Sequence, residues 1–304
     1  MLKDKILCLK KQKNAVILAH YYTIPEVQDI ADFVGDSLAL SQQAAKTQAD
    51  IILFAGVHFM AETAKILNPT KKVLLPSLDA GCSLADSCPP DEFANFLKNH
   101  PNHTVLSYIN CSASIKMLSD IIVTSGNALK IVNSLPQNEP IVFAPDRNLG
   151  AYINETTHRK MILWNGACHV HDQLTAEQIF TLKKQHPEAK VLAHPECKGT
   201  VLALADFVGS TAAMLNFTST DPDHAYIIAT ETGILYEMKK KNPSKQFYVV
   251  NAFDSCNCND CEFMKQNTLT KILSALESEQ PEILLDNNTM EKAKKPILKM
   301  LELS

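Results

Sequence analysis

Arginine is almost absent from this sequence: only Arg147 and Arg159 occur in 304 residues. An anionic ligand must then be held largely by donors of other kinds. Long apolar runs are missing too. The longest, residues 51–61, contains His58 and falls far short of the roughly 20 residues needed to cross a bilayer. The N-terminal stretch MLKDKILCLKKQKN has no continuous apolar centre, so no signal peptide is expected and the expected location is cytoplasmic. Excess positive charge is also lacking: a formal net charge of −4 gives no footing for nucleic acid. What remains is ordinary globular composition, 46% hydrophobic and 20% charged, which excludes a disordered chain and allows two or three domains. Nine cysteines, an odd number without an export signal, read as reduced thiols or metal ligands.

The most informative feature is an internal repeat. AVILAHYY, TVLSYIN and KVLAHPE align His20, Tyr108 and His194, which are 88 and 86 residues apart. DFVGDS, DIIVTS and DFVGST begin at Asp32, Asp120 and Asp206 with the same two steps. IILFA, IVFA and YIIA form a third set, and VLL, MILW and FYVV a fourth. FANFLKNHP and IFTLKKQHP repeat the helix that precedes the first strand. One shared motif is chance; five in register are not.

These runs are uninterrupted and rich in Val, Ile and Leu, the pattern of strands buried on both faces. Helical stretches lie between them, which implies parallel sheets with right-handed crossovers. Twelve strands in three groups of four predict an α/β protein: three αβα sandwiches related by a pseudo-three-fold axis, each with a four-stranded parallel sheet, rather than one eight-stranded barrel. The expected units are 1–87, 88–173 and 174–304, the last carrying a helical tail from about Asn288. In such sheets ligands bind beyond the carboxyl ends of the strands. His20 and Tyr22, Tyr108 and Asn110, and His194 and Glu196 end the first strands. Ser37, Ser125 and Thr211 each follow the repeated aspartate by five residues, at expected helix starts. Singly, each hydroxyl reads as an ordinary N-cap. Three facing one centre read as an anion site.

The fourth strand of each unit leads to cysteine: PSLDAGC to Cys82, WNGAC to Cys168, and NAFDSCNCNDC to Cys256, Cys258 and Cys261. Three thiolates from three equivalent loops suit a cubane iron–sulfur cluster with one iron free of protein ligands. Singly, Cys82 and Cys168 would be small buried hydrophobes. The CxCxxC trio could also be half of a structural zinc site, although no second pair is evident. Repeat register favours Cys256 as the third ligand. Cys8, Cys88, Cys111 and Cys197 read as core or incidental thiols.

LAHYY, VGDS, DAGCSLAD, SYIN, VTSGNA, PDRNLG, WNGACHVH, AHPEC, VGSTAAM and CEFMK, in this order, closely resemble the quinolinate synthase family over essentially the whole chain. The resemblance implies three αβα domains around a [4Fe–4S] cluster. It implies condensation of iminoaspartate with dihydroxyacetone phosphate to quinolinate, phosphate and water in NAD biosynthesis, with functional coupling to L-aspartate oxidase. Carried over by motif, the cluster ligands are Cys82, Cys168 and Cys261. The substrate-binding positions are His20, Ser37, Tyr108, Ile109, Asn110, Ser125, His194, Pro195, Glu196 and Thr211. The catalytic group comprises Tyr22, Glu196, His194, His20 and His171. CxCxxC stands where some relatives have CxxCxxC, and Gly126 where a serine is common. A cluster protein of the diphthamide-synthesis type shares the three-domain plan, but the hydroxyls and the HPE strand favour quinolinate synthase. A non-catalytic zinc-stapled scaffold is the remaining rival.

Overall fold

Residues 2–251 and 259–304 are described by the computed structural model. Cys256 and Cys258 lie outside these residues. Among those described, twelve strands form three four-stranded sheets in which every pairing between named strands is parallel. The first sheet holds β1 (Ala15–His20), β2 (Phe33–Gly35), β3 (Ile51–Ala55) and β4 (Lys72–Leu74) in the order β2-β1-β3-β4. The second holds β5 (Thr104–Tyr108), β6 (Ile121–Val123), β7 (Ile141–Ala144) and β8 (Ile162–Leu163), ordered β6-β5-β7-β8. The third holds β9 (Lys190–Ala193), β10 (Phe207–Val208), β11 (Ala225–Ala229) and β12 (Gln246–Val249), ordered β10-β9-β11-β12. In each unit the chain leaves the first strand to one side and returns on the other. The crevice this opens lies at the carboxyl end of β1, β5 or β9.

The repeated aspartate is the device that sets this register. The Asp32 carboxylate accepts the Ile17 amide at 2.8 Å, Asp120 accepts Val105 at 2.8 Å, and Asp206 accepts Val191 at 2.7 Å. Each aspartate's own amide donates back to the carbonyl of the same residue. The second strand is thereby locked to the first at one point, and the helix that follows is aimed at the crevice. Charged hydrogen bonds of this kind are worth about 1.5–3 kcal/mol. Asp120→Ala should lower unfolding free energy by about that amount, measured by the denaturant midpoint. A shift below about 0.5 kcal/mol would dismiss the clamp as a stabilising element.

The chain beyond Cys261 leaves the third unit, and it does so well before the tail expected at Asn288. Helix Leu269–Ser278 packs beside helix Leu2–Gln12, burying Ile272, Ala275 and Leu276 with Ile6 under the first sheet. Residues 280–283 then run antiparallel to β4, with the Ile283 amide donating to the Val73 carbonyl at 2.9 Å. Helix Asn287–Leu303 crosses to helix Ala113–Met117 and β6. The apolar stripe of 269–278 finds its partner face on the first unit, so the tail binds the units together.

Candidate functional site

The three first strands end beside one another. At the end of β1, the His20 Nδ1 accepts the Tyr22 amide at 3.1 Å; just past β9, the His194 Nδ1 accepts the Glu196 amide at 3.4 Å. Each imidazole therefore closes its own turn through Nδ1 and presents Nε2 onward. His194 Nε2 meets the Ser125 hydroxyl at 3.3 Å. Burial pushes both histidines down to about 3, so they are neutral rings whose Nε2–H can donate.

Glu196, 3% exposed, is the centre of a network spanning all three units. The Tyr108 hydroxyl donates to its Oε1 at 2.5 Å. His171 Nδ1 lies 3.1 Å from its Oε2, within ion-pair range but off the line of a hydrogen bond. His171 Nε2 is 2.8 Å from the Thr230 hydroxyl, which is 2.9 Å from the Tyr22 hydroxyl. Tyr22 also meets Thr211 Oγ1 at 3.0 Å. Burial alone would raise the Glu196 carboxyl, but the neighbouring His171 imidazole and the Tyr108 hydroxyl outweigh it and hold it at about 2. Burial keeps Tyr22 and Tyr108 protonated, well above the usual phenol range. The resting site thus combines an ionised carboxylate, two phenols and two neutral imidazole donors.

Ser37 and Thr211 are the first residues of helices Ser37–Lys46 and Thr211–Thr220, but neither is the cap. The caps are Asp36, accepting the Ala39 amide, and Ser210, accepting Ala213. The Ser37 and Thr211 side chains line the central cavity instead. Ser125 departs from the expected pattern. It sits on a turn, and helix Ala128–Ser134 starts later because the Asn127 side chain accepts the Thr124 amide at 2.6 Å and tightens the loop. Ser125 nevertheless lines the same cavity. Asn110 lines it too, and its Oδ1 is buried without a protein partner. Ile109 and Pro195 are buried between lining residues, the Ile109 amide bonded to the Val123 carbonyl at 2.8 Å, and neither is among the lining side chains. Both arginines are committed elsewhere: Arg147 to Asp172 at 3.0 Å, and Arg159 to the carbonyls of Val132, Leu135 and Pro136.

Cys82, Cys168 and Cys261 occupy one structural position three times. Each is the half-buried residue preceding a four-residue helix, Ser83–Asp86, His169–Asp172 or Glu262–Lys265, and all three line the cavity that holds His20, Tyr108 and Glu196. Burial pushes Cys82 up to about 12 and Cys261 to about 11, and drives Cys168 well above the usual thiol range with help from Glu196. Amides of the following helix act in the opposite sense: Ala85 and Leu84 on Cys82, His171 on Cys168, Met264 and Phe263 on Cys261. Three thiols at helix starts, protonated on their own by burial and able to give up their protons to a cation, suit a metal centre among them. Cys168, His171 and Glu196 also bring ligand atoms within 4.8 Å of one another, a second grouping able to hold a metal ion.

Several residues of the site were hidden from sequence reading. Thr230 joins Tyr22 to His171, yet its repeat partners are Gly56 and Pro145, so the register shows nothing polar there. Lys116 is fully buried and donates to the carbonyls of Ile109 and Cys111, fixing the turn that carries Asn110. Gly233 must be glycine, because a Cβ there would lie 2.7 Å from the Tyr22 Cα of the first unit.

The fold and the cavity define an α/β enzyme that gathers thiols, a carboxylate and neutral donors from three equivalent units around one small-molecule site. A family model described as "NadA: Quinolinate synthetase A protein" matches residues 4–302. A protein named quinolinate synthase from Synechocystis sp. is 57% identical over 299 residues, covering 98% of this chain and 94% of its own. Its namesake from Trichodesmium erythraeum is 55% identical over 301 residues, covering 99% and 93%. The chain belongs to the quinolinate synthetase A family.

Proposed function

We infer that this protein condenses iminoaspartate with dihydroxyacetone phosphate, forming quinolinate, phosphate and water for NAD biosynthesis. The observation that carries the reading is the single cavity lined by Cys82, Cys168 and Cys261 together with Tyr22 and Glu196. A [4Fe–4S] cluster on these three thiols would supply a Lewis-acidic iron that eases loss of a hydroxyl as water.

The remaining work falls to side chains. The substrates carry carboxylates and a phosphate, and no arginine lines the cavity. Ser37, Ser125 and Thr211 hydroxyls, the Asn110 amide and the Nε2–H groups of His20 and His194 are the donors at hand. Glu196 serves as proton acceptor. At about 2 its carboxyl is a weak base in the free protein, and the negative charge of a bound substrate raises its basicity toward the working range. Tyr22 serves as proton donor through its chain to Thr230 and His171, and Tyr108 steadies Glu196. Cytoplasmic location and supply of iminoaspartate by L-aspartate oxidase complete the proposal; no helix among the described residues is long and apolar enough to cross a membrane.

The deciding experiment is anaerobic product detection with the two substrates. Brown protein that makes quinolinate supports the reading, whereas colourless zinc-bearing protein without product supports a scaffold. Ser37→Ala, Ser125→Ala and Thr211→Ala should each weaken substrate binding by about 1 kcal/mol or more, roughly a fivefold rise in KM, with the cluster intact. Unchanged affinity in all three would return these hydroxyls to a structural role.

A further inference from the structure

Two of the three cysteine loops are held from behind by a fully buried carboxylate. The Asp146 Oδ2 accepts the amide of Cys168 at 3.2 Å, while its Oδ1 caps helix Arg147–Thr157 at the Leu149 amide, 2.8 Å away. The Glu231 Oε1 accepts the amide of Cys261 at 3.1 Å, while its Oε2 holds the Gly233 amide at 2.7 Å. Both residues are 0% exposed. Lys265, on the helix that Cys261 opens, pairs with Glu231 at 2.7 Å and donates to the Tyr22 carbonyl at 2.8 Å. Around Cys82 no carboxylate among the described residues serves; the His58 amide donates to the Ala80 carbonyl at 2.8 Å, as the Arg147 amide does to Gly166 in the second unit. Asp146 and Glu231 are equivalent in the repeat, each two residues beyond the last residue of its third strand, and Val57 is their counterpart in the first unit. From the ends of β7 and β11 they reach the amide of the cysteine that follows the fourth strand of the same unit.

A carboxylate buried completely is costly unless its oxygens are well used. Here each one joins two segments: the turn after a third strand and the amide of a cysteine after a fourth. Fixing that amide fixes the cysteine's backbone and with it the direction of Cα–Cβ–Sγ. Groups behind metal ligands commonly set ligand orientation, and removing them costs about 10–100-fold in metal affinity.

We propose that Asp146 and Glu231 are positioning residues that preset Cys168 and Cys261 for the metal centre, with Glu231 also tying that loop to Tyr22 through Lys265. The inference rests on the cluster reading above. Its test compares wild type, Asp146→Asn, Glu231→Gln and Asp120→Ala, each reconstituted anaerobically and then exposed to excess iron chelator. Asparagine and glutamine keep the volume, but one of the two oxygens becomes an amide nitrogen that cannot accept. Asp120→Ala removes a carboxylate-to-amide bond at the far end of the second sheet and controls for general loosening. Release of iron should be about tenfold or more faster in Asp146→Asn and Glu231→Gln than in wild type, and unchanged in Asp120→Ala. Equal release in all four proteins overturns the positioning role while leaving the cluster in place. Comparable acceleration in Asp120→Ala also overturns it, since loosening alone would then suffice. Wild type that takes up no iron or sulfide overturns both the cluster and the inference.

Discussion

Glu196→Gln lowers turnover by about 10²–10⁴-fold while both substrates continue to bind. Glutamine matches the size of the side chain and still accepts the Tyr108 hydroxyl, which donates at 2.5 Å. It cannot take a proton, and its nitrogen would face either Tyr108 or His171. The chain from Glu196 through His171 and Thr230 to Tyr22 is then broken at its only carboxylate. Burial opposes ionisation of Glu196, but the His171 imidazole and the Tyr108 hydroxyl hold the carboxyl at about 2, so it is fully ionised throughout the neutral range. A group with a depressed value loses its charge only as pH falls through that value. The defect in kcat/KM, which reports the free protein, should therefore be the same at pH 6 and pH 8, with no acid limb from Glu196 between them. Steady-state quinolinate formation at several pH values measures this. Near-normal turnover would assign Glu196 to positioning alone.

How far the sequence foretold this arrangement depended on the repeat. Strands covered on both faces give short unbroken apolar runs, and three copies in register made them unmistakable. The aspartates at 32, 120 and 206 stood out for the same reason, and their role as strand clamps follows from a constant spacing of fifteen residues to the amide they hold. His20, Tyr108, His194 and Glu196 were legible because strand ends face the crevice. The groups that break the symmetry were not. Thr230 has apolar or glycine counterparts, and Asp146 and Glu231 share one repeat position whose first-unit counterpart is Val57, so only two of the three copies carry the carboxylate. Ser125 looked like a helix start because its neighbours do, but Asn127 diverts the local backbone into a turn. The helix at 269–278 fell inside the expected third unit, since no local pattern tells which unit an apolar stripe will cover. Cys88, Cys111 and Cys197 are fully or almost fully buried among apolar neighbours, and Cys8 is exposed.

The third thiol of the cluster presents the sharpest choice. Eighty-six residues beyond Cys168 stands Asp254, so register alone favours the nearby Cys256. Family resemblance favours Cys261, and local structure now supports it for a physical reason. Loops after strands change length freely, whereas a helix start is fixed by the packing of the helix. Cys261 opens helix Glu262–Lys265 as Cys82 and Cys168 open theirs, and it lines the same cavity. Amides of Phe263 and Met264 face its sulfur and favour the thiolate against the cost of burial. Its own amide is held by Glu231, and the helix it opens is tied to the first unit through Lys265 and the Tyr22 carbonyl. Cys261→Ser should thus lose most of its iron and sulfide, its visible absorbance and its activity, as should Cys82→Ser and Cys168→Ser. Cys256→Ser and Cys258→Ser should keep all four. Anaerobic purification followed by iron and sulfide analysis of the five variants checks this directly. If Cys256→Ser loses the cluster and Cys261→Ser retains it, the helix-start argument fails and loop register was the better guide.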